Sequence, residues 1–384
     1  MAPVDGEDWV IVCGGFHHRG GMDRANSALA EHLVAAGETV HLVAHDIDSG
    51  WLGRPRATVS PVPRVGGSYV LGELALERRG RAVVRALLRA GRKPRVVANG
   101  ANMAGADVNW VHSIHHAWPC SDGGAPRWFR LKNHATKAWS RVRERRAIRS
   151  APLVVTNSRR TTADVVSRLG IDERRVHTVY LGSDPAWVPA PAARRRAARQ
   201  RWGGAAAGGP LIAFVGALGH DTNKGIDILL DAWARLRSAD WNASLVVAGP
   251  GRTDRWQRVA EGSGGSIRFV GPIDDVGSLL DGADLLVSPV RYEAYGLAAH
   301  EAVCRGVPVI ITASAGLVER LPADIAGLLL PDPPTAEALV ARLQQWSAAP
   351  ELWRRRVESA SQTLRSHSSD DMARQIVSLV KSTS

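Results

Sequence analysis

Two glutamates, Glu293 and Glu301, stand eight positions apart across a short loop and the start of a helix-compatible stretch. The loop carries Tyr295 and Gly296 and follows an apolar run at residues 285–290. A strand feeding a Gly-containing loop at a helix start gathers unpaired backbone N–H groups at one point, where a phosphate or sugar oxygen can bind. Both carboxylates could face that crevice and accept hydrogen bonds from a hydroxyl-rich ligand. Amides for a diphosphate and carboxylates for ribose and sugar hydroxyls suit a nucleotide-sugar. A duller reading also fits, because two glutamates at this spacing arise by chance and Glu301 could be a solvated helix residue.

Three further places could do chemistry. Gly20 and Gly21 close the loop at residues 15–21, before the first helical pattern, and adjacent glycines let the backbone approach a diphosphate without Cβ interference. The dinucleotide fingerprint G-x-G-x-x-G is absent there, so a tight turn without a ligand fits as well. His112 ends the apolar run at residues 108–111, where it can donate or accept in a ligand crevice or serve as a plain structural histidine. His115 and His116 follow it, but no carboxylate or cysteine joins them in the sequence, so no metal site is assigned. Lys224 lies after a strand pattern ending at Gly216 and just before a helix, where an ammonium can neutralise a departing diphosphate. The segment is not a Walker A loop, and an ordinary surface lysine is the alternative.

The elements that must position these residues alternate. Short apolar runs at 9–13, 40–44, 96–98, 108–112, 153–156 and 176–180 read as strands, and helical spacing covers 22–36, about 128–149 and 161–169, with Ser158 as an N-cap. Residues 186–209, rich in Pro, Ala, Arg and Gly, read as a connector, in which residues 194–201 could still form a short helix. The second half repeats the rhythm, with strands at 211–215, 245–248, 267–270, 285–290 and 307–311 and a helix at 226–236. This pattern predicts an α/β protein with parallel, doubly wound sheets, whose ligands sit at the carboxyl ends of strands.

With 384 residues, 45% apolar and 22% charged, the chain is expected to form two globular domains. No apolar run approaches the ~20 residues needed to span a bilayer. The short apolar run near the start and the three scattered cysteines (Cys13, Cys120, Cys304) predict a reduced, cytoplasmic setting. The net charge of +12 is uneven: residues 78–201 hold 27 Arg or Lys against 7 Asp or Glu, a net +20, which leaves −8 for the rest. Such a segment attracts anionic surfaces, although arginines on solvated faces would read the same way.

Taken together, these residues resemble glycosyltransferase family 4, the retaining transferases of GT-B fold. The E-x₇-E pattern of Glu293 and Glu301 carries the likeness. Gly20-Gly21, residues 156–158, residues 180–184, Lys224-Gly225 and residues 269–273 support it in the expected order. The resemblance implies two Rossmann-like domains facing across a cleft. An acceptor-binding domain would span residues 1–187, with a last helix at about 371–384 packing back on it, and a nucleotide-sugar-binding domain residues 205–368.

It also implies transfer of a sugar from a UDP- or GDP-sugar to an acceptor hydroxyl with retention, with no cofactor and no metal required. The products would be cell-surface glycans, glycolipids or specialised metabolites. By the same resemblance Glu301 holds ribose hydroxyls and Glu293 a hydroxyl of the transferred sugar. Amides near Gly20, Gly21, Gly216, Gly296 and Leu297 cradle sugar and phosphate. Lys224 stabilises the leaving diphosphate, His112 faces the donor sugar, and the backbone at Ile273 reads the base. The family has an Arg where this chain has Ala217, so His220, Arg19 or another basic group would have to supply the second charge.

The basic segment falls in the acceptor-binding half. It predicts a lipid-linked or otherwise anionic acceptor and peripheral association with an anionic inner membrane face, with nucleic acid not expected as a partner. Two other functions remain open at this stage: an epimerase acting on nucleotide-sugars, and a non-catalytic basic binding protein on the same fold.

Overall fold

The protein is described here by a computed structural model covering residues 6–18, 21–64, 66, 69–119, 124–203, 208–237, 241–251 and 253–383. Gly20, Arg19 and Cys120 lie outside the described residues. The chain divides into two compact units. The first comprises Met1–Ala117, Leu131–Gly182 and Ser368–Ser384, and the second Trp118–Arg130 and Ser183–His367.

In chain order the first unit contains β1 (Asp8–Val12), β2 (Gly15–Phe16), α1 (Gly21–Ala35), β3 (Thr39–Ala44), β4 (Asp46–Ile47), β5 (Ala57–Pro61) and α2 (Tyr69–Arg89). It continues with β6 (Arg95–Asn99), β7 (Val108–Val111), most of α3 (Arg127–Ser150), β8 (Leu153–Thr156), α4 (Arg159–Leu169) and β9 (Val176–Thr178). Seven strands form one parallel sheet in the order β5-β3-β1-β6-β7-β8-β9, with Trp9 paired to Val40 on one side and Arg95 on the other. All five residues of β1 are buried, as expected for a strand covered on both faces. Val10 and Val12 pack with Leu76 and Leu87 of α2, while Val111 and Val154 pack with Ile148, Val165 and Leu169 of α3 and α4. Each such side chain contributes about 1.5–3 kcal/mol by leaving water.

The second unit contains α5 (Ala192–Trp202), β10 (Leu211–Val215), α6 (Ile226–Arg237), β11 (Ser244–Ala248), α7 (Asp254–Glu261), β12 (Ile267–Gly271) and α8 (Val276–Gly282). After these come β13 (Leu285–Ser288), α9 (Leu297–Cys304), β14 (Val309–Thr312), β15 (Leu329–Leu330), α10 (Ala336–Ala348) and α11 (Pro350–Arg365). Its sheet runs β12-β11-β10-β13-β14-β15, again parallel. The last helix, α12 (Ser369–Ser382), belongs to the first unit. It starts with a capping box between Ser368 and Asp371 and packs on α1, where Asp370 meets His32 at 2.6 Å.

The units depart from the sequence bounds of 1–187 and 205–368 in two stretches. Residues 118–130 and 183–204 group with the second unit, because α5 packs on α8 and Trp118 donates to Asp221 at 3.2 Å. Helix α2 is a second difference, since no element was expected between residues 45 and 95. Strand β5 and helices α7, α8, α10 and α11 also went unread. No helix is long and apolar enough to cross a membrane among the described residues.

Candidate functional site

In both sheets the strand order reverses once, between β1 and β6 in the first unit and between β10 and β13 in the second. Ligands of doubly wound sheets bind at such points, beyond the strand ends.

In the second unit, the loop after β10 holds Gly216 and Lys224, and the loop after β13 holds Glu293 and Gly296. The two loops are cross-linked. Asn223 Nδ2 donates to the Tyr292 carbonyl at 2.9 Å, and the Arg291 amide donates to the Asn223 carbonyl at 2.8 Å. The Arg291 guanidinium reaches the Thr222 carbonyl at 2.6 Å and both oxygens of Asp227 at 2.9 and 2.6 Å. Gly225 has φ of 74°, and a Cβ there would lie 1.9 Å from the Pro289 carbonyl oxygen, so only glycine allows this approach.

The cross-linking sets Lys224 Nζ 2.5 Å from Glu293 Oε2, with 30% and 20% of the two side chains exposed. The lysine stem runs against Gly216, where a Cβ would fall 3.2 Å from Lys224 Cγ. Gly296, at φ 112°, opens α9 without a side-chain cap and with no acidic residue in the first turn. The helix-start amides of Leu297 and its successors therefore lack intrahelical acceptors and favour an anion. Lys224, Glu293, Gly216, Gly296 and Leu297 thus belong to one cross-linked pair of loops.

Glu301 lies farther along α9, buried, and its Oε1 accepts from Arg305 Nε at 3.0 Å. Arg305 also holds Asp281 at 2.8 Å. Glu301 is therefore ion-paired within its own helix in this structure. Ile273 is half-buried in the loop after β12. Near Ala217, the His220 ring lies 4.7 Å from Phe129, and Arg291 is engaged by Asp227.

Sequence reasoning missed the supports of this site. His300, fully buried within the E-x₇-E span, takes part in a chain of hydrogen bonds. Arg320 Nη1 donates to the Tyr295 hydroxyl at 3.1 Å, and that hydroxyl meets His300 Nδ1 at 3.1 Å. His300 Nε2 meets Ser183 Oγ at 2.8 Å, and Ser183 donates to the Leu364 carbonyl at 2.7 Å. The serine proton is committed to Leu364, so His300 donates from Nε2. Burial, then the charges of Arg320 and His367, lower its pKa to about 3. A histidine inside the motif, and an Asn beside Lys224, were the only sequence signals for this scaffold.

In the first unit a cavity of about 330 Å³ opens at the β1–β6 reversal. Gly14, Asp23, Asn26, Asn99, His112 and Glu144 are among the residues lining it. His112 sits one residue past β7, 6% exposed, its ring 4.4 Å from that of Trp110. Neither ring nitrogen has a hydrogen-bond partner, and burial lowers its pKa to about 3. Asn157 Nδ2 fixes its backbone by donating to the His112 carbonyl at 2.9 Å. Gly21 is the first residue of α1 and exposed. His115 and His116 both contact the Glu144 carboxylate, at 2.9 and 2.8 Å. No group of three or more His, Cys, Asp or Glu among the described residues is arranged to hold a metal.

Two parallel, doubly wound sheets, with an anion-suited loop pair at the reversal of the second, define the GT-B class of fold. Two family models match along the chain: Glycosyltransferase Family 4 over residues 19–187, and Glycosyl transferases group 1 over residues 209–348. The chain belongs to the GT-B glycosyltransferases, with a family 4 N-terminal half.

Among relatives, it is 32% identical over 206 residues to a 2-deoxystreptamine glucosyltransferase of Streptomyces kanamyceticus, covering 52% of this chain and 51% of that one. It is 26% identical to a D-inositol 3-phosphate glycosyltransferase of Jonesia denitrificans, covering 82% of this chain and 80% of the relative. The chain spans about half the length of the first of these relatives. The structure of Anabaena Alr3699/HepE in complex with UDP and glucose superposes with a TM-score of 0.70 at 17% identity, covering 98% of this chain and all of that one.

Proposed function

We propose that the protein moves a sugar from a UDP- or GDP-sugar to an acceptor hydroxyl with retention of anomeric configuration. The observation that carries this reading is the Lys224–Glu293 pair held beside the uncapped start of α9. A diphosphate can take Lys224 from Glu293, and the released carboxylate then accepts from a sugar hydroxyl. Glu301, ion-paired with Arg305, would accept from the ribose, and the backbone at Ile273 would contact the base.

The resemblance gives His112 a role against the donor sugar. As a neutral imidazole it can donate at one nitrogen and accept at the other. In a front-face displacement the bond from anomeric carbon to diphosphate oxygen breaks as the acceptor oxygen bonds to the same face. The acceptor proton passes to the departing phosphate. Lys224 and the α9 amides carry the developing charge, so no metal is invoked.

The relatives' names point to acceptors of opposite charge, a streptamine and an inositol phosphate. Titration calorimetry with UDP and GDP, followed by nucleotide-sugar turnover and anomer assignment of the product, tests the reading. Failure of both nucleotides to bind sinks it, and donor conversion without an acceptor would indicate an epimerase.

A second feature favours attachment to an anionic lipid surface. Leu131, Trp139 and Val142 of α3 are 75%, 44% and 69% exposed, and Lys132, Arg145, Arg146 and Arg149 on the same helix are exposed too. An apolar stripe among basic side chains suits an interfacial helix. Sedimentation with anionic vesicles at low salt should carry the protein down. A Trp139→Ser, Val142→Ser variant should stay in solution, and equal sedimentation of both proteins would refute this attachment.

A further inference from the structure

The cavity of the first unit gathers carboxylates although the segment around it is strongly basic. Its walls bring together Asp23 of α1, Glu73 of α2 and Glu144 of α3, and Arg64 is the one Arg or Lys among the described residues lining it. The three carboxylates are not equivalent. Burial would raise the pKa of Glu144, but hydrogen bonds from His115 and His116 hold it below the usual value, so its charge is spent.

Glu73 is 2% exposed, and its Oε2 takes the Arg143 Nε–H at 3.2 Å while Oε1 has no partner. Burial raises its pKa in spite of Arg143. Burial also raises that of Asp23, with His17 acting against the rise and Asp46 adding to it. Asn99 donates to Asn26 Oδ1 at 2.7 Å and leaves its own carbonyl oxygen buried without a donor. The walls therefore hold acceptors that lack donors, and leaving a buried acceptor unpaired costs about 1–3 kcal/mol, more for a charged one.

A phosphate or carboxylate would bring further acceptors to Glu73 Oε1 and Asn99 Oδ1, which already lack donors. A ligand rich in O–H groups and carrying one N–H⁺ group would instead satisfy the walls. We infer that the acceptor of this transferase is a small polyol bearing a protonated amine, with the ammonium on Glu73 and hydroxyls toward Asn99 and His112. The inference rests on the proposed function for one point, that the first unit receives the acceptor. The cavity volume of about 330 Å³ is at the small end of ligand sites and suits a single ring.

The test is calorimetric titration of the full chain at pH 7 with scyllo-inosamine, scyllo-inositol and myo-inositol 1-phosphate, beside UDP and GDP as separate ligands. The amine should bind at least about tenfold more tightly than the neutral ring, the value of one charge-assisted hydrogen bond, and the phosphate most weakly. Glu73→Gln should erase that preference while UDP or GDP binding persists. If loss of the Arg143 contact unfolds that variant, Asp23→Asn should reduce the preference instead. Equal binding of amine and neutral ring, tighter binding of the phosphate, no amine binding at millimolar concentration, or an unchanged preference in the variants would each overturn the inference. If the nucleotides fail to bind while the amine preference holds, the transferase reading falls and the cavity assignment stands.

Discussion

His300 makes the second unit sensitive to mild acid, and the effect can be worked out. Its imidazole is fully buried between Tyr295 and Ser183, and its pKa falls from 6.5 to about 3. The folded state therefore resists a proton that the unfolded chain accepts. The stability it contributes is fully present above the unfolded value and is lost as pH falls from about 6.5 toward about 3. At pH 5 the unfolded histidine is almost wholly protonated and the folded one is not, so linkage removes about 2 kcal/mol relative to pH 7. Because pH 5 lies well above the folded value, that figure is set by the unfolded pKa and changes little if the folded one moves by about a unit.

The assay is urea unfolding at pH 7 and pH 5 for the native chain and for His300→Gln. The variant should start less stable, having lost a fitted hydrogen-bond chain, but should lose about 2 kcal/mol less between the two pH values. His112 stays native in both proteins and cancels in the difference. Equal pH dependence of the two proteins, or a His300 proton titrating near 6.5 by NMR, would refute the placement of a neutral imidazole there.

Other changes should separate the scaffold of the site from its chemistry. Gly225→Ala forces a side chain into φ of 74° and against the Pro289 carbonyl, so it should cost at least about 1–3 kcal/mol and weaken nucleotide binding together. Unchanged thermal unfolding would contradict the geometry. Lys224→Met should lower turnover by ~10²–10³-fold with little change in melting temperature, since a partly exposed ion pair contributes only about 0–1 kcal/mol. A variant that keeps native turnover removes the lysine from the leaving-group role. Asp284 receives Arg195, Arg199 and Arg354 as well as the Leu211 amide. Asp284→Asn should leave three guanidinium groups facing each other and cost about 1–2 kcal/mol, discounted for their partial exposure, with part recovered in high salt. No loss at low salt would show that the cluster does not hold α5 to the sheet.

The strands were legible because parallel strands buried on both faces leave unbroken apolar runs, as at residues 9–13 and 285–290. The chemistry after them was legible because glycine and a charged residue at a strand end have few other reasons to occur together. Helix α2 was not. Gly72 and Gly80 interrupt its helical spacing in the sequence. In the fold each glycine is a point of close approach, where a Cβ would lie 2.9 Å from His45 Nε2 and 2.8 Å from Val12 Cγ2. The supports of the second-unit loops were equally hidden, because Arg291 finds Asp227 and His300 finds Ser183 only after distant segments meet.

Charge shows the same limit more sharply. A net +20 over residues 78–201 is a property of composition, and composition says nothing about where each charge points. Arg143, only 11% exposed, is bound to Glu73 and Glu77. Arg149 and Arg175 close carbonyls at the ends of α4 and α3, and Arg195 and Arg199 are held by Asp284. Much of the positive charge thus neutralises or caps its own unit, and the exposed remainder is spread over α2, α3 and α5. Glu73 and Glu144 are the acids drawn inward, where Arg143 reaches the first and His115 and His116 the second, and all but Arg143 and His116 line the cavity. A basic exterior around a cavity lined with paired carboxylates separates two interactions that the sequence alone merges: attraction to an anionic surface, and selection of the molecule that enters.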